Sequence, residues 1–176
     1  FLTAKQQGEI QVNLLPDDKT MNEDREYINY NQLLNLSSQW RVNIKGEYTS
    51  DNQYFEDLTG NINSTSKTHL FRTINLQGFS ENWHMKMGMD SFQILDQSII
   101  PTNRPHKILP YINFNGRWSD QNMGVMFGVN ANVANFDSAI NTSGTRFHLM
   151  PNISRTFNLN GVKIKPAVEI DLTSYD

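Results

Sequence analysis

Four histidines, His69, His84, His106 and His148, are the side chains best suited to metal ligation or proton transfer in this chain, which contains no cysteine. None has a second ligand at zinc-type spacing, so the pattern supports histidines on a polar face rather than a metal centre. Carboxylates offer another chemistry. Asp17-Asp18, and the group Asp51, Glu56 and Asp57, are residue types that hold divalent cations or act as acid and base. Their spacing does not match a calcium loop, and solvated loops flanking strands account for them. No Gly-x-Ser-x-Gly elbow, phosphate-binding loop or dinucleotide fingerprint occurs. The missing cysteines exclude disulfides, a thiol nucleophile and cysteine-ligated zinc or iron–sulfur sites within this stretch. The sequence predicts no catalytic residue, no metal, no cofactor and no enzyme.

The balance of 15 basic against 18 acidic side chains gives a net charge of −3. With no basic cluster, it argues against a nucleic-acid partner. Mean hydropathy is −0.55 and 38% of residues are hydrophobic. No apolar run approaches the ~18–20 residues of a membrane helix. A content of 19% charged and 11% aromatic residues does not read as disorder either. Length alone predicts one domain over residues 1–176. The start at Phe1 and the finish at Asp176 read as cuts from something longer, so a missing signal peptide carries no information about export.

The elements that must position these side chains announce themselves by a period of two. In Trp40–Tyr48, Trp, Val, Ile and Tyr alternate with Arg41, Asn43, Lys45 and Glu47. Successive strand side chains point to opposite faces, so this is a sheet with one apolar and one polar side. The pattern recurs over 83–89, 112–118, 123–133, 147–153 and 162–170, and more weakly over 25–36 and 67–77. Short turn-forming links (36–39, 78–82, 119–122 and 158–161) alternate with longer ones (51–66, 96–106 and 137–144). Pro110, Pro151 and Pro166 lie in or beside the runs and mark bulges, edges or strand entrances.

Several runs reach about ten residues, the length a tilted strand needs to cross a bilayer. Short turns on one rim and long loops on the other are the arrangement of outer-membrane barrels. Trp40, Tyr48, Trp83 and Trp118 near strand ends suit an interfacial aromatic girdle. The expected fold is all-β: an antiparallel up-and-down meander of about eight or nine long strands, forming an open segment of a transmembrane β-barrel.

Particular phrases go further. They are Leu14-Leu15-Pro16-Asp17-Asp18 followed by Asp24-Arg25, then Ser50-Asp51-Asn52-Gln53-Tyr54-Phe55-Glu56-Asp57, then Asp90-Ser91-Phe92-Gln93-Ile94-Leu95, Leu109-Pro110-Tyr111-Ile112 and Gly144–Ile153. In this order they closely resemble the LPS-assembly outer-membrane family LptD (OstA/Imp). The loop residues Ser50, Asp51, Tyr54, Phe55 and Asp57 are among the most specific. The resemblance implies an internal piece of the barrel domain, with the periplasmic jelly-roll and the barrel-closing strands lying elsewhere. It implies a non-enzymatic role in the outer membrane of a Gram-negative bacterium, inserting lipopolysaccharide into the outer leaflet. It also implies partners: lipopolysaccharide, an LptE-like plug lipoprotein, the periplasmic bridge that reaches the barrel through the jelly-roll, and outer-membrane lipids.

On this reading Ile44, Met87, Phe114, Phe127, Val129 and Ile164 face lipid. Arg41, Lys45, Lys86, Asn130, Asn132, Arg146, Lys163 and Lys165 line the lumen as candidates for contact with lipopolysaccharide or plug. Two other readings stay open at this point: a passive porin-like or structural barrel, and a soluble β-sheet module binding a ligand such as a sugar.

Overall fold

The computed structural model describes residues 6–59, 66–138 and 140–176. Eight long strands follow one another: β1 (Gln6–Asp18), β2 (Glu23–Asn35), β3 (Trp40–Thr49), β4 (His69–Phe79), β5 (Trp83–Ile94), β6 (Lys107–Asp120), β7 (Val125–Asp137) and β8 (Gly144–Arg155). Each pairs antiparallel with the next. A short helix α1 (Tyr54–Leu58) lies between β3 and β4, and a 3-10 turn (Pro101–Asn103) between β5 and β6. The long link over 51–66 is described only in part.

The run over 162–170 is not one strand. β9 (Phe157–Leu159) and β10 (Val162–Ile164) form a separate hairpin. Its turn is Asn160-Gly161, with φ of 47° and 85°, the double positive φ that a tight two-residue turn requires and that Asn-Gly tolerates. Pro166 then ends the hairpin and offers its carbonyl to the Arg155 N–H. The chain returns to the sheet as β11 (Ala167–Glu169) and β12 (Leu172–Tyr175), both against β8 in one continuous register. The break between them lies opposite Pro151. Ile170 donates its N–H to the Pro151 carbonyl, and Pro151 has no N–H to return. β11 and β12 are therefore one ninth strand with a missing rung, and the sheet is an open nine-strand meander with β1 at one edge.

Pro110 is accommodated differently. The registers with β5 and β7 both slip at Leu109-Pro110, a bulge that keeps proline in a central strand. Asn135 caps the freed Leu109 carbonyl at 2.8 Å. A second bulge, at Pro16-Asp17, slips the register of β1 near its end.

The register sorts the side chains cleanly. One face carries rows such as Val42, Leu76, Met87, Ile112, Val133 and Phe147. The opposite face carries Asn35, Arg41, Gln77, Lys86, Asn113, Asn132, His148 and Thr173, a polar row crossing eight strands. Among the described residues no second layer covers the apolar face: Ile74, Met89 and Phe127 are each nearly half exposed. The buried hydrophobic cluster, Tyr27, Tyr54, Phe55, Leu70 and Leu95, gathers at one end of the sheet. That end carries the long connections 50–68, 95–106 and 138–143 and the short β1–β2 turn 19–22, while the other carries the short turns 36–39, 80–82 and 121–124 and the β9–β10 hairpin.

Candidate functional site

Two features are built beyond the plain ladder. The first is the long-loop end, where the fully buried Arg25 of β2 holds three carboxylates. Its Nη1 donates to Asp18 at 3.0 Å and to Asp57 at 2.9 Å, while Nε and Nη2 donate to the two oxygens of Asp51 at 2.8 Å each. Ser50, Asp51, Tyr54, Phe55 and Asp57 of the loop phrase each have a task. The Ser50 hydroxyl accepts the Glu26 N–H and donates to Asp51. Asp51 also accepts the Gln53 N–H at the start of α1. Tyr54 and Phe55 pack their rings on Tyr27 at 5.9 and 5.3 Å between centroids. Partial burial opposes the charge of Asp51, but the bonds from Arg25, Ser50 and Gln53 outweigh it and hold the carboxyl below its ordinary range. The reading of Asp17-Asp18 and of Asp51, Glu56 and Asp57 as solvated loop acids is thus corrected for Asp18 and Asp51: the buried guanidinium draws both inward, Asp51 through a bidentate pair and Asp18 through one bond. Arg25 was the residue that sequence reasoning passed over as a centre. Its signal was its place in the Asp24-Arg25 phrase ahead of the acidic loop motif.

The clamp sits beside a gap. β3 and β4 stop pairing at Gly46 and Arg72, leaving the last three residues of β3 without backbone partners on β4. Side chains take over. The Gln93 amide accepts the Thr49 N–H at 3.4 Å and donates to the Thr49 carbonyl at 2.7 Å, as a strand residue would. Arg72 donates Nε to the Glu47 carbonyl at 3.0 Å, and Lys67 pairs with the Glu47 carboxylate at 2.5 Å. Helix α1 bridges this split end, joined to β2 by Arg25 and Tyr27 and to the segment leading into β4 by the Lys67 ammonium over Phe55.

The second feature is the two-faced sheet itself. Arg41, Lys45, Lys86, Asn130, Asn132 and Arg146 share the polar face. Asn132 donates to Asn113 at 2.6 Å and Asn115 donates to Asn130, so amides bond across β6 and β7. Arg146 donates twice to the Asn132 side-chain oxygen Oδ1, at 2.9 and 3.3 Å. A concavity of about 510 Å³ on this face is lined by Glu9, Asn31, Arg41, Asn43, Lys45 and Gln77 among others. Ile44, Met87, Phe114, Phe127 and Val129 share the opposite face. Lys163 and Ile164 lie in the separate β9–β10 hairpin and Lys165 in the link after it, so the fold does not bring these three onto the long sheet. Trp40, Trp83 and Trp118 gather on the apolar face at the short-turn end: Trp40 lies 5.9 Å from Trp83 between centroids, and Phe114 joins Trp83 to Trp118 at 6.4 and 6.3 Å. Gly78 and Gly116 leave room for their rings. Tyr48 lies at the opposite end of β3.

Among the described residues no group of three or more histidines, acids or cysteines is placed to hold a metal ion. Among the described residues no helix is long and apolar enough to cross a membrane.

A family profile described as LptD, LPS transport system D, matches residues 23–176. The chain belongs to the LptD family. It is similar to the LPS-assembly protein LptD of Pseudoalteromonas atlantica, 32% identical over 88% of this chain and 20% of the relative. The LPS-assembly protein LptD of Shewanella denitrificans is 29% identical over 84% of this chain and 19% of the relative. That of Nitrosococcus oceani is 26% identical over 99% of this chain and 24% of the relative. The chain therefore spans about a fifth to a quarter of the length of the curated relatives it matches. The LptD match takes in Arg25, Asp51 and Asp57 of the clamp, though not Asp18, together with the loop phrase and both faces from β2 onward.

Proposed function

We propose that this chain is a wall segment of the outer-membrane lipopolysaccharide translocon, and that it works in transport and assembly without covalent chemistry. The observation that supports this reading is the open, two-faced nine-strand meander in a member of the LptD family. A sheet with one large uncovered apolar face and one polar face suits a barrel wall between acyl chains and a hydrated lumen. The Ile44, Met87, Phe114, Phe127 and Val129 face meets outer-membrane lipid. The Arg41, Lys45, Lys86, Asn130, Asn132 and Arg146 face meets lipopolysaccharide or an LptE-like plug. Long connections on one rim and short turns on the other put the Arg25 end outside and the tryptophan end at the periplasm. The jelly-roll that receives lipid from the periplasmic bridge, and the strands that close the barrel, belong to the remainder of the full-length protein.

The test uses single cysteines and photocrosslinkers in the full-length parent protein in cells. Val125, Phe127 and Val129 form one set, and Asn115, Asn130 and Asn132 the other. The reading expects the first set to be shielded from a water-soluble maleimide and to crosslink membrane lipid. The second set is expected to crosslink lipopolysaccharide or plug. Free labelling of both sets removes the membrane wall, and a second set that meets only water reduces the protein to a passive barrel.

A further inference from the structure

The three tryptophans of the apolar face draw a line across the sheet. Followed through the registers, Trp40 of β3 falls level with Leu149 of β8, Trp83 of β5 with Pro151 and Trp118 of β6 with Ile153. From β3 to β6 the line therefore moves four residues toward the short-turn end in three strand spacings. At ~3.3 Å per residue and ~4.8 Å between strands, that slope is a strand tilt of about 40°, within the range of membrane barrels. Tryptophan marks the level at which acyl chains give way to headgroups. Continued at the same slope over the two spacings from β6 to β8, the line meets β8 between Arg155 and Phe157.

The β9–β10 hairpin begins there. Arg155 lies on the face of Ile153, and its guanidinium is 4.9 Å from the centre of the Phe157 ring, so the apolar face of the sheet runs on into the hairpin. Phe157 pairs with Ile164 and Leu159 with Val162, which puts these four on one side of the ribbon and Asn158 and Lys163 on the other. All four are exposed, Leu159 and Val162 by 59% and 61%. A two-stranded hairpin is marginal in water, and an uncovered apolar quartet gains by leaving it. The charge is equally one-sided. Arg155, Lys163 and Lys165 are the only charged residues from Arg155 to Val168, in a chain of net charge −3. None of the three pairs with a carboxylate among the described residues.

We infer that the β9–β10 hairpin is an interfacial anchor, which seats Phe157, Leu159, Val162 and Ile164 in the headgroup layer of the periplasmic leaflet and holds anionic phospholipid through Arg155, Lys163 and Lys165. The inference rests on the wall-segment reading, which sets the tryptophan end at the periplasm, and goes beyond it by giving the hairpin a ligand. Two observations select the occupant. The tryptophan line places the hairpin at the depth where acyl chains meet phosphate, and its charge complements an anionic surface. Bulk water does not suit the quartet, and an acyl phase does not suit the cations. The headgroup layer takes both, because lysine and arginine stems lie along apolar surface while their charged ends reach phosphate.

The experiment uses the full-length parent in lipid nanodiscs, with a photocrosslinking residue at Leu159 or at Val162. The discs hold either phosphatidylcholine alone or an equal mixture of phosphatidylcholine and anionic phosphatidylglycerol. Both positions are expected to give phospholipid adducts, with phosphatidylglycerol captured preferentially from the mixture. The triple variant R155Q/K163Q/K165Q is expected to lower the phosphatidylglycerol adduct by roughly fivefold or more, as the loss of several surface cations implies. The charge-conserving triple variant R155K/K163R/K165R restores it and shows that the hairpin still forms. A photocrosslinker at Phe127 reports lipid contact in every disc. Lipid adducts at Phe127 with none at Leu159 or Val162 overturn the anchor and leave the wall-segment reading standing. A phosphatidylglycerol adduct that the Gln variant leaves unchanged also overturns it. So do adducts to protein in place of lipid when the same photocrosslinkers are used in cells, which assign the hairpin to a protein partner or a second copy. No lipid adduct at Phe127 either removes both the anchor and the wall.

Discussion

Arg25 meets Asp51 edge to edge, with Nε and Nη2 each 2.8 Å from a separate carboxylate oxygen, across a sequence separation of 26 residues. This fork fixes the first turn of the 50–59 loop against β2, and the remaining Nη1 reaches the two flanking acids. Removing the guanidinium leaves three carboxylates facing one another. Arg25→Gln is expected to cost about 2–3 kcal/mol at this end of the sheet, mostly from uncompensated charge. Among the acids, Asp51→Asn is expected to cost more than Asp57→Asn, because Asp57 is about a third exposed and contributes one bond. Limited proteolysis of the 50–68 loop in the full-length protein reads the order. Equal nicking of all three variants contradicts it.

The same fork sets a pH response. The folded-state pKa of Asp51 lies below its ordinary 3.8. A carboxyl lowered on folding adds stability above its unfolded value and loses it as pH falls through the folded one. The loop is therefore expected to stay docked from neutral pH down to about 4 and to release below that. Amide exchange at Gln53 to Asp57 against pH checks this. Release near pH 6 would point to a histidine instead.

Gly88 and Gly46 make a controlled pair on neighbouring stretches of sheet. A Cβ at Gly88 would lie 2.4 Å from the Ile74 carbonyl oxygen, which is backbone and cannot move without parting the strands, whereas one at Gly46 would lie 3.7 Å from the Arg72 side chain. Gly88→Ala is expected to destabilise the barrel by about 1–3 kcal/mol and Gly46→Ala to be near neutral. Heat-modified gel mobility of the two variants decides it, and comparable shifts would count against the close approach.

Gln93→Leu tests the split between β3 and β4. Losing the amide strands the Thr49 N–H and carbonyl, with an expected cost of about 1–3 kcal/mol. Exchange protection at Thr49 should fall while that at Ile44, still within the backbone ladder, holds. Protection that survives at Thr49 would mean that other groups satisfy it.

The alternation between apolar and polar residues made most of this fold legible. Long strands with one wet face and one dry face have no competing solution, so Trp40–Tyr48 and Met123–Val133 read directly. Gln6–Asp18 was harder. Ile10, Val12 and Leu14 alternate there too, but Leu15 and Pro16 break the period where the strand bulges. The run ending at Ile170 was over-read as one element, because a period of two survives a hairpin whose arms share it. Pro166 and Asn160-Gly161 were the cues. The faces of Arg41, Lys86 and Asn132 follow from counting by twos. The Arg25 clamp does not, since a contact spanning 26 or 32 residues leaves no local period.

A sheet held by backbone hydrogen bonds is largely indifferent to which side chains it bears, so most single substitutions leave its continuity intact. At Thr49 that immunity is suspended, because one rung is written in the genetic code as the amide of Gln93. Variation there acts on the seam between two strands as well as on a surface. Within the described sheet, this is a place where a single codon can loosen the weave.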